Sequence, residues 1–136
     1  MTRMLVVALL SAIAATGSPG QENVAYAQVI CTGHARQFGA GVVGTLGPDL
    51  IDCSASIVRA NIIGLEGDDF LIDGQGKDYI DAGDGNDWIF SREGDDILIG
   101  GNAKDSLFAG PGNDWLQGGD QNDTLFGDDG DDMLFG

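Results

Sequence analysis

The sequence predicts an all-β repeat protein in which very short strands alternate with glycine-rich turns. Residues 64–135 divide without a gap into eight units of nine residues. Every unit has aspartate at its sixth position and leucine or isoleucine at its eighth. The chain also has 23 glycines among 136 residues, and glycine weakens helices and long strands but permits tight turns. Because the sixth and eighth positions keep the same kind of residue in all eight units, the sequence indicates one structural unit that is repeated eight times.

The charge of the chain limits the kinds of partner that it can bind. There are 22 acidic and 6 basic residues, and the formal net charge is −16. Nucleic-acid binding needs Lys and Arg to displace counterions, so this class is excluded. Such a charge indicates either bound cations or a solvated, disordered chain. The regular placement of large apolar residues argues against disorder.

The first 27 residues predict a signal peptide. Residues 5–15 form an apolar run of 11 residues, which is too short to span a bilayer. The run follows the positive charge of Arg3, and residues 25–27 (AYA) match a small-x-small cleavage signal. We therefore expect a secreted, extracellular chain that begins at Gln28. Cleavage after Ala14 and an uncleaved membrane anchor are the alternatives.

The chain has two cysteines, Cys31 and Cys53, and export favours a disulfide between them. This bond would close a loop of about 20 residues and stabilise the fold by roughly 3 kcal/mol. Two free buried thiols are the alternative, and a metal site that includes His34 lacks a fourth ligand. We assign residues 28–63 to an N-terminal cap with this disulfide and two degenerate units, separated by the extra residues Cys53 and Ser54.

Each nonapeptide predicts a turn at positions 1–6 and a short strand at positions 7–9. Side chains alternate along a strand, so position 8 faces inward while positions 7 and 9 face outward. One buried Leu or Ile contributes about 1.5–3 kcal/mol. Ordering nine residues costs more than that, at about 1–2 kcal/mol of backbone entropy each. The acidic turns therefore need a further source of stability.

The pattern resembles the hemolysin-type, or RTX, calcium-binding nonapeptide G-G-x-G-x-D-x-U-x. The resemblance covers residues 64–135 and implies a right-handed parallel β-roll of two thin sheets, in which units n and n+2 lie above one another. It also implies Ca²⁺ between stacked turns, held by position-6 aspartates and by carbonyl groups of the glycine-rich segment. The ligands that it implies are Asp69, Asp78, Asp87, Asp96, Asp105, Asp114, Asp123 and Asp132, with the turn glycines Gly67, Gly76, Gly85, Gly94, Gly112 and Gly130.

Calcium suits this pattern better than other metals do. It accepts 6 to 8 oxygen ligands in tolerant geometry, whereas Mg²⁺ demands a tight octahedron and retains its waters. Zinc prefers His and Cys, which the repeat lacks. Solvated Asp turns without metal are the alternative.

Departures from the pattern predict unequal sites. Odd-numbered units share one edge of the roll (the odd edge) and even-numbered units the other (the even edge). Position 4 is not glycine at Ala103 and Gln121, and both lie on the odd edge. We expect three good sites on the even edge and one on the odd edge, between the turns of Gly67 and Gly85. The sites that use Ala103 and Gln121 should be weak or empty, and Arg92 could weaken the even-edge sites that it borders.

Position 9 of the odd units predicts an outward-facing ladder of side chains: Ile72, Phe90, Phe108 and Phe126. Phe70 and Trp88 should lie on the same face, and Trp115 on the other. Stacked like residues stabilise a parallel sheet. The alternative is a binding stripe for an extracellular polysaccharide or a second copy of the chain, because exposed apolar patches mark contacts.

These features predict a secreted calcium-binding β-roll protein that folds on binding Ca²⁺ and acts as a structural or extracellular binding module. We expect no enzyme, since the sequence has no HExxH motif and no paired Ser and His, and His34 has no fixed catalytic neighbour. The alternative is the non-catalytic repeat portion of a secreted protease, polysaccharide-modifying enzyme or toxin.

Overall fold

The computed structural model describes residues 28–30, 41–55 and 59–136. Within these ranges, the regular structure consists of twelve β-strands. They are β1 Gln28–Ile30, β2 Gly41–Val43, β3 Leu50–Asp52, β4 Asn61–Glu66, β5 Phe70–Ile72, β6 Tyr79–Asp84, β7 Trp88–Phe90, β8 Ile97–Asn102, β9 Ser106–Phe108, β10 Trp115–Asp120, β11 Thr124–Phe126 and β12 Met133–Phe135. In the described part of the chain, no helix is long and apolar enough to cross a membrane.

Successive strands alternate between two parallel sheets. The odd-numbered strands form sheet A, and the even-numbered strands form sheet B. Each strand pairs with the strand two elements later, so the chain winds as a solenoid of about five turns. In the repeats, paired residues are 18 positions apart, as in Phe70 with Trp88 and Trp88 with Ser106. The predicted parallel β-roll, with two nonapeptides in each coil, is confirmed.

The first coils have a longer register. Leu50 pairs with Phe70, and Gly41 with Asn61, so that 20 positions separate the partners. The two additional positions match the predicted insertion of Cys53 and Ser54. Strands β1 and β2, which belong to the segment assigned to a cap, extend both sheets by one strand.

The core is the predicted inward column of position-8 side chains. The fully buried members are Ile51, Ile62, Leu71, Ile80, Ile89, Leu98, Leu107 and Leu116. Leu125 is partly buried and Leu134 is exposed, because β11 and β12 are the outermost strands of their sheets and are covered from one side only. Cys53 is also fully buried. The predicted signal peptide, Cys31 and His34 lie outside the described residues, so the signal peptide and the disulfide remain predictions.

The two edges of the roll are built differently. Strands β6, β8 and β10 have six residues and continue through positions 1–3 of the next unit, whereas β5, β7, β9 and β11 end at position 9. The predicted turn at positions 1–6 is therefore wrong for the odd units, whose positions 1–3 belong to a strand. Equivalent residues of successive coils pair there, as Gly83 does with Gly101, both at position 2. These two glycines have φ of +107° and +118°, and a Cβ on Gly101 would overlap the carbonyl oxygen of Gly83. Glycine thus keeps neighbouring coils within pairing distance.

The outer face of sheet A carries the predicted aromatic ladder. The rings of Phe90 and Phe108 stack with centroids 4.8 Å apart and planes 3° apart, and Phe108 stacks on Phe126 at 5.0 Å and 12°. Trp88 lies 6.0 Å from Phe108, and Phe70 lies 5.2 Å from Phe90. The stacking is confirmed, and both faces of the Phe108 ring are covered by neighbouring rings.

Candidate metal sites in the turns

The turns place the position-6 aspartates in two columns. Each aspartate directly precedes a strand, and parallel pairing at intervals of 18 residues brings equivalent positions above one another. The odd-edge column is Asp49, Asp69, Asp87, Asp105 and Asp123, and the even-edge column is Asp78, Asp96, Asp114 and Asp132. The structure thus brings together all eight predicted aspartates, in the two predicted groups.

One oxygen of each carboxylate links two coils. The backbone N–H of Asp69 donates to Oδ1 of Asp87 at 2.7 Å, and the N–H of Asp87 donates to Oδ1 of Asp105 at 2.9 Å. On the even edge, the N–H of Asp78 donates to Oδ1 of Asp96 at 2.7 Å. The carboxylates therefore satisfy backbone donors that the start of each strand leaves free.

The second oxygen is buried without a hydrogen-bond partner. This holds for Oδ2 of Asp69, Asp78, Asp87, Asp105, Asp114 and Asp123. A buried carboxylate oxygen without a donor or a cation is costly, because the group has lost its hydration. Rows of such oxygens fit a hard divalent cation, which takes carboxylate oxygens as ligands.

Burial raises the pKa of these carboxyl groups. Desolvation, assisted by the charges of neighbouring aspartates, raises the pKa of Asp87 to about 7 and that of Asp69 and Asp105 to about 6. Desolvation also raises the pKa of Asp96, although hydrogen bonds from Ser91 and a backbone N–H oppose it. The charged carboxylates are thus disfavoured unless a positive charge is supplied, which a bound cation does.

The position-4 glycines stack as closely as the aspartates. A Cβ on Gly85 would overlap the carbonyl oxygen of Gly67, and a Cβ on Gly94 would overlap that of Gly76. Gly85 has φ of +143° and Gly94 of +157°, which residues with a Cβ avoid. Glycine at this position therefore brings carbonyl oxygens of successive turns into a column beside the carboxylates.

Two turns depart from this geometry. Ala103 and Gln121 have φ of +86° and +82°, whereas φ at Gly67 and Gly85 on the same edge is +130° and +143°. A side chain at position 4 is thus accompanied by a different turn backbone. The odd edge thus changes shape between the turns of Gly85 and Ala103, and the difference between the calcium sites stays a prediction.

Sequence reasoning missed the residues at position 1, which also face inward. Asp73 and Ala82 are fully buried and Ser91 nearly so. The Ser91 hydroxyl lies 2.7 Å from Oδ2 of Asp73 and also contacts Oδ2 of Asp96. Asp73, Asp78 and Asp96 each offer an oxygen, and these three oxygens lie within 4.8 Å of one another. The available signal was a carboxylate at a position where the other units have Gly, Ala or Ser.

A two-sheet parallel solenoid with buried carboxylates stacked in its turns defines the class of cation-binding repeat β-rolls. The family model of the RTX calcium-binding nonapeptide repeat (4 copies) matches residues 63–98, 81–116 and 99–134. These matches together span more than half of the 136-residue chain, and the chain belongs to this family. The repeat is a non-catalytic, calcium-binding structural module. Comparisons with curated proteins and with solved structures found no match.

Proposed function

We propose that this protein is a secreted calcium-binding β-roll that folds as Ca²⁺ enters its turns and serves as a structural or binding module outside the cell. The observation that carries the proposal is the row of buried carboxylate oxygens without hydrogen-bond partners on both edges. The ligands are the position-6 aspartates and the carbonyl groups of the position-4 glycines. The module does not itself catalyse a reaction.

The coupling of binding to folding follows from the charges. The eight units contain 19 acidic and 3 basic residues, so folding without a cation brings like charges together inside the roll. A Ca²⁺ ion between two turns neutralises carboxylates from two coils, and its binding free energy becomes folding free energy. Extracellular calcium modules bind at about 10⁻⁴ to 10⁻³ M, which suits a chain that is loose where calcium is scarce.

Thermal unfolding tests this proposal. The midpoint should rise with Ca²⁺ concentration, because a ligand of the folded state stabilises it by mass action. Magnesium at equal concentration should raise it much less. Equal midpoints in Ca²⁺, Mg²⁺ and chelator would overturn the proposal.

The sites are proposed to be unequal. The even edge holds three good sites and the odd edge one, between Gly67 and Gly85, while the turns of Ala103 and Gln121 bind weakly. The different φ at these two residues supports this distribution. Crystals grown in calcium, with anomalous scattering to locate the ions, test it. Full occupancy beside Ala103 and Gln121 would contradict it.

Export and the Cys31–Cys53 disulfide belong to the same proposal. The features that support them are the leader-like residues 1–27 and the pair of cysteines. The intact mass of the exported protein should match residues 28–136 with one disulfide. A chain that still carries residue 1 would refute cleavage after residue 27. A chain with two free thiols would refute the disulfide.

The aromatic ladder supports a second candidate function, the binding of a polysaccharide or of a second copy of the chain. Trp88 is 48% exposed and Phe126 is 47% exposed on the outer face of sheet A. Phe126→Ser should abolish self-association in sedimentation velocity, or retention on a polysaccharide matrix. Thr124→Ser, on the same face, is the control. If neither property changes in Phe126→Ser, the ladder serves only to stabilise the sheet.

A further inference from the structure

Asp73 stands at position 1 of its unit, where the other seven units have Gly, Ala or Ser. Its side chain is fully buried, and its backbone N–H donates to the carbonyl of Phe90 at 3.1 Å. The nonapeptide pattern has no carboxylate at position 1. An additional buried charge is costly, so its surroundings should show what stabilises it.

The surroundings of Asp73 supply two more carboxylates. Asp78 and Asp96, at position 6 of units 2 and 4, are 2% and 1% exposed. One oxygen from each of the three residues lies within 4.8 Å of the others. Lys77, next to Asp78 in the chain, pairs instead with Asp95 on the surface, and Arg59 acts on Asp78 through its charge without an ion pair. No positive side chain therefore forms an ion pair with this cluster in the described part of the chain.

The hydrogen bonds of the cluster do not satisfy it. The Ser91 hydroxyl has one proton but contacts both Oδ2 of Asp73 and Oδ2 of Asp96, so it can donate to only one of them. Oδ1 of Asp73 and Oδ2 of Asp78 are buried with no partner at all. Three carboxylates thus share a single donated side-chain proton, and the charges of Arg59 and Lys77 act on them without forming an ion pair.

We propose that Asp73, Asp78 and Asp96 together hold one Ca²⁺ ion at the first even-edge turn pair, and that Asp73 makes this the tightest site of the roll. This inference rests on the proposed function and adds a third carboxylate to a turn pair that otherwise offers two. The number of charged ligands is one of the properties that vary the calcium dissociation constant over several orders of magnitude. The ion at Asp73 is therefore the first to bind as calcium rises.

The oxygens of the cluster are close enough to share one cation, since all three lie within 4.8 Å of one another. Calcium suits an all-oxygen cluster because it accepts carboxylate oxygens in tolerant geometry, whereas Mg²⁺ demands a near-ideal octahedron. Ser91 fixes the orientation of Asp73 and Asp96, so the ion meets a partly preorganised site.

The test is calorimetric titration of the exported protein with CaCl₂. Wild type should show one site that binds about tenfold more tightly than the rest. Asp73→Ala should lose this tight phase and keep the weaker sites. Alanine is tolerated at position 1, where Ala82 and Ala109 stand in other units. Asp81→Ala, which removes a half-buried carboxylate from the same unit, is the matched control and should keep the tight phase.

A second variant distinguishes loss of the carboxylate charge from misfolding of the turn. Asp73→Asn preserves the shape of the side chain and a contact with Ser91 but removes the charge, so it too should lose the tight phase. If Asp73→Asn binds calcium as wild type does, Asp73 is a neutral structural residue and the inference fails, while the proposed function stands. If wild type binds no calcium, the proposed function fails first.

Discussion

At position 6, the two oxygens of one aspartate have different tasks. In Asp87, Oδ1 accepts a hydrogen bond from the N–H of Asp69, while Oδ2 is buried without a partner. Asparagine would keep the first role and lose the charge. Glutamate would place its oxygens one methylene further from the turn. Aspartate alone combines the reach and the charge that both roles need.

Replacing one such aspartate separates the two roles. Asp87→Asn should weaken calcium binding at the bordering sites by about tenfold, because a charged ligand is lost. In chelator it should not lower the residual β content of the chain, since the amide oxygen still accepts from Asp69 and a buried charge has gone. Calorimetry measures the first effect and far-UV circular dichroism the second. Asp68→Asn, an exposed change in the neighbouring turn, is the control, and equal affinity losses in both variants would contradict this account.

The raised pKa values predict how the calcium-free roll responds to pH. Burial raises the pKa of Asp87 to about 7 and that of Asp73 to about 8, against 3.8 ordinarily. The folded state therefore binds protons more tightly than the unfolded state does. Its stability should rise as the pH falls from about 8 to about 4. In chelator, far-UV circular dichroism should show more β structure at pH 5 than at pH 8, and less would contradict the prediction.

At the scale of the element, the turn is set by the position-4 glycine. Gly85→Ala should destabilise the calcium-loaded roll by about 1–3 kcal/mol, because a Cβ would overlap the carbonyl oxygen of Gly67 at a φ of +143°. Gly47→Ala is the matched control, since its Cβ would meet nothing within 4 Å. Denaturant unfolding in calcium measures both. Similar losses in the two variants would show that stacking of the turns does not limit stability.

Introducing glycine at a position 4 that lacks it should stabilise the turn. Ala103 has φ of +86°, and Ala103→Gly should stabilise the roll by about 1 kcal/mol by removing this strain. It should also strengthen calcium binding on the odd edge, because the turn can then adopt the φ of Gly85. Calorimetry in calcium checks both effects. Unchanged stoichiometry and affinity would mean that position 4 does not determine occupancy.

The sequence predicted the columns but not the direction of every side chain within a turn. A strict period of nine determines which residues recur together, so the Leu/Ile core, the aspartate columns and the aromatic ladder could be predicted. Whether position 1 faces inward depends on backbone angles at positions 2 and 4, which periodicity does not define. Asp73 and the role of Oδ1 were missed for this reason, and so was the extension of β6 and β8 through positions 1–3.

At the scale of the whole molecule, each coil contacts mainly the coils before and after it. Such solenoids gain stability from interfaces between neighbouring repeats. The proposed function adds a cation to the apolar side chains at this interface, because the eight units carry a net charge of −16. Removing calcium should therefore loosen the interfaces of many coils together and unfold the roll as a unit.

The most direct test is far-UV circular dichroism of residues 28–136 during a calcium titration, with magnesium as the control. We predict a cooperative gain of β signal with Ca²⁺, little change with Mg²⁺, and reversal by chelator. A β signal that is already complete in chelator and does not respond to calcium would contradict the central claim. The aspartate columns would then be structural features of a glycine-rich solenoid that needs no metal.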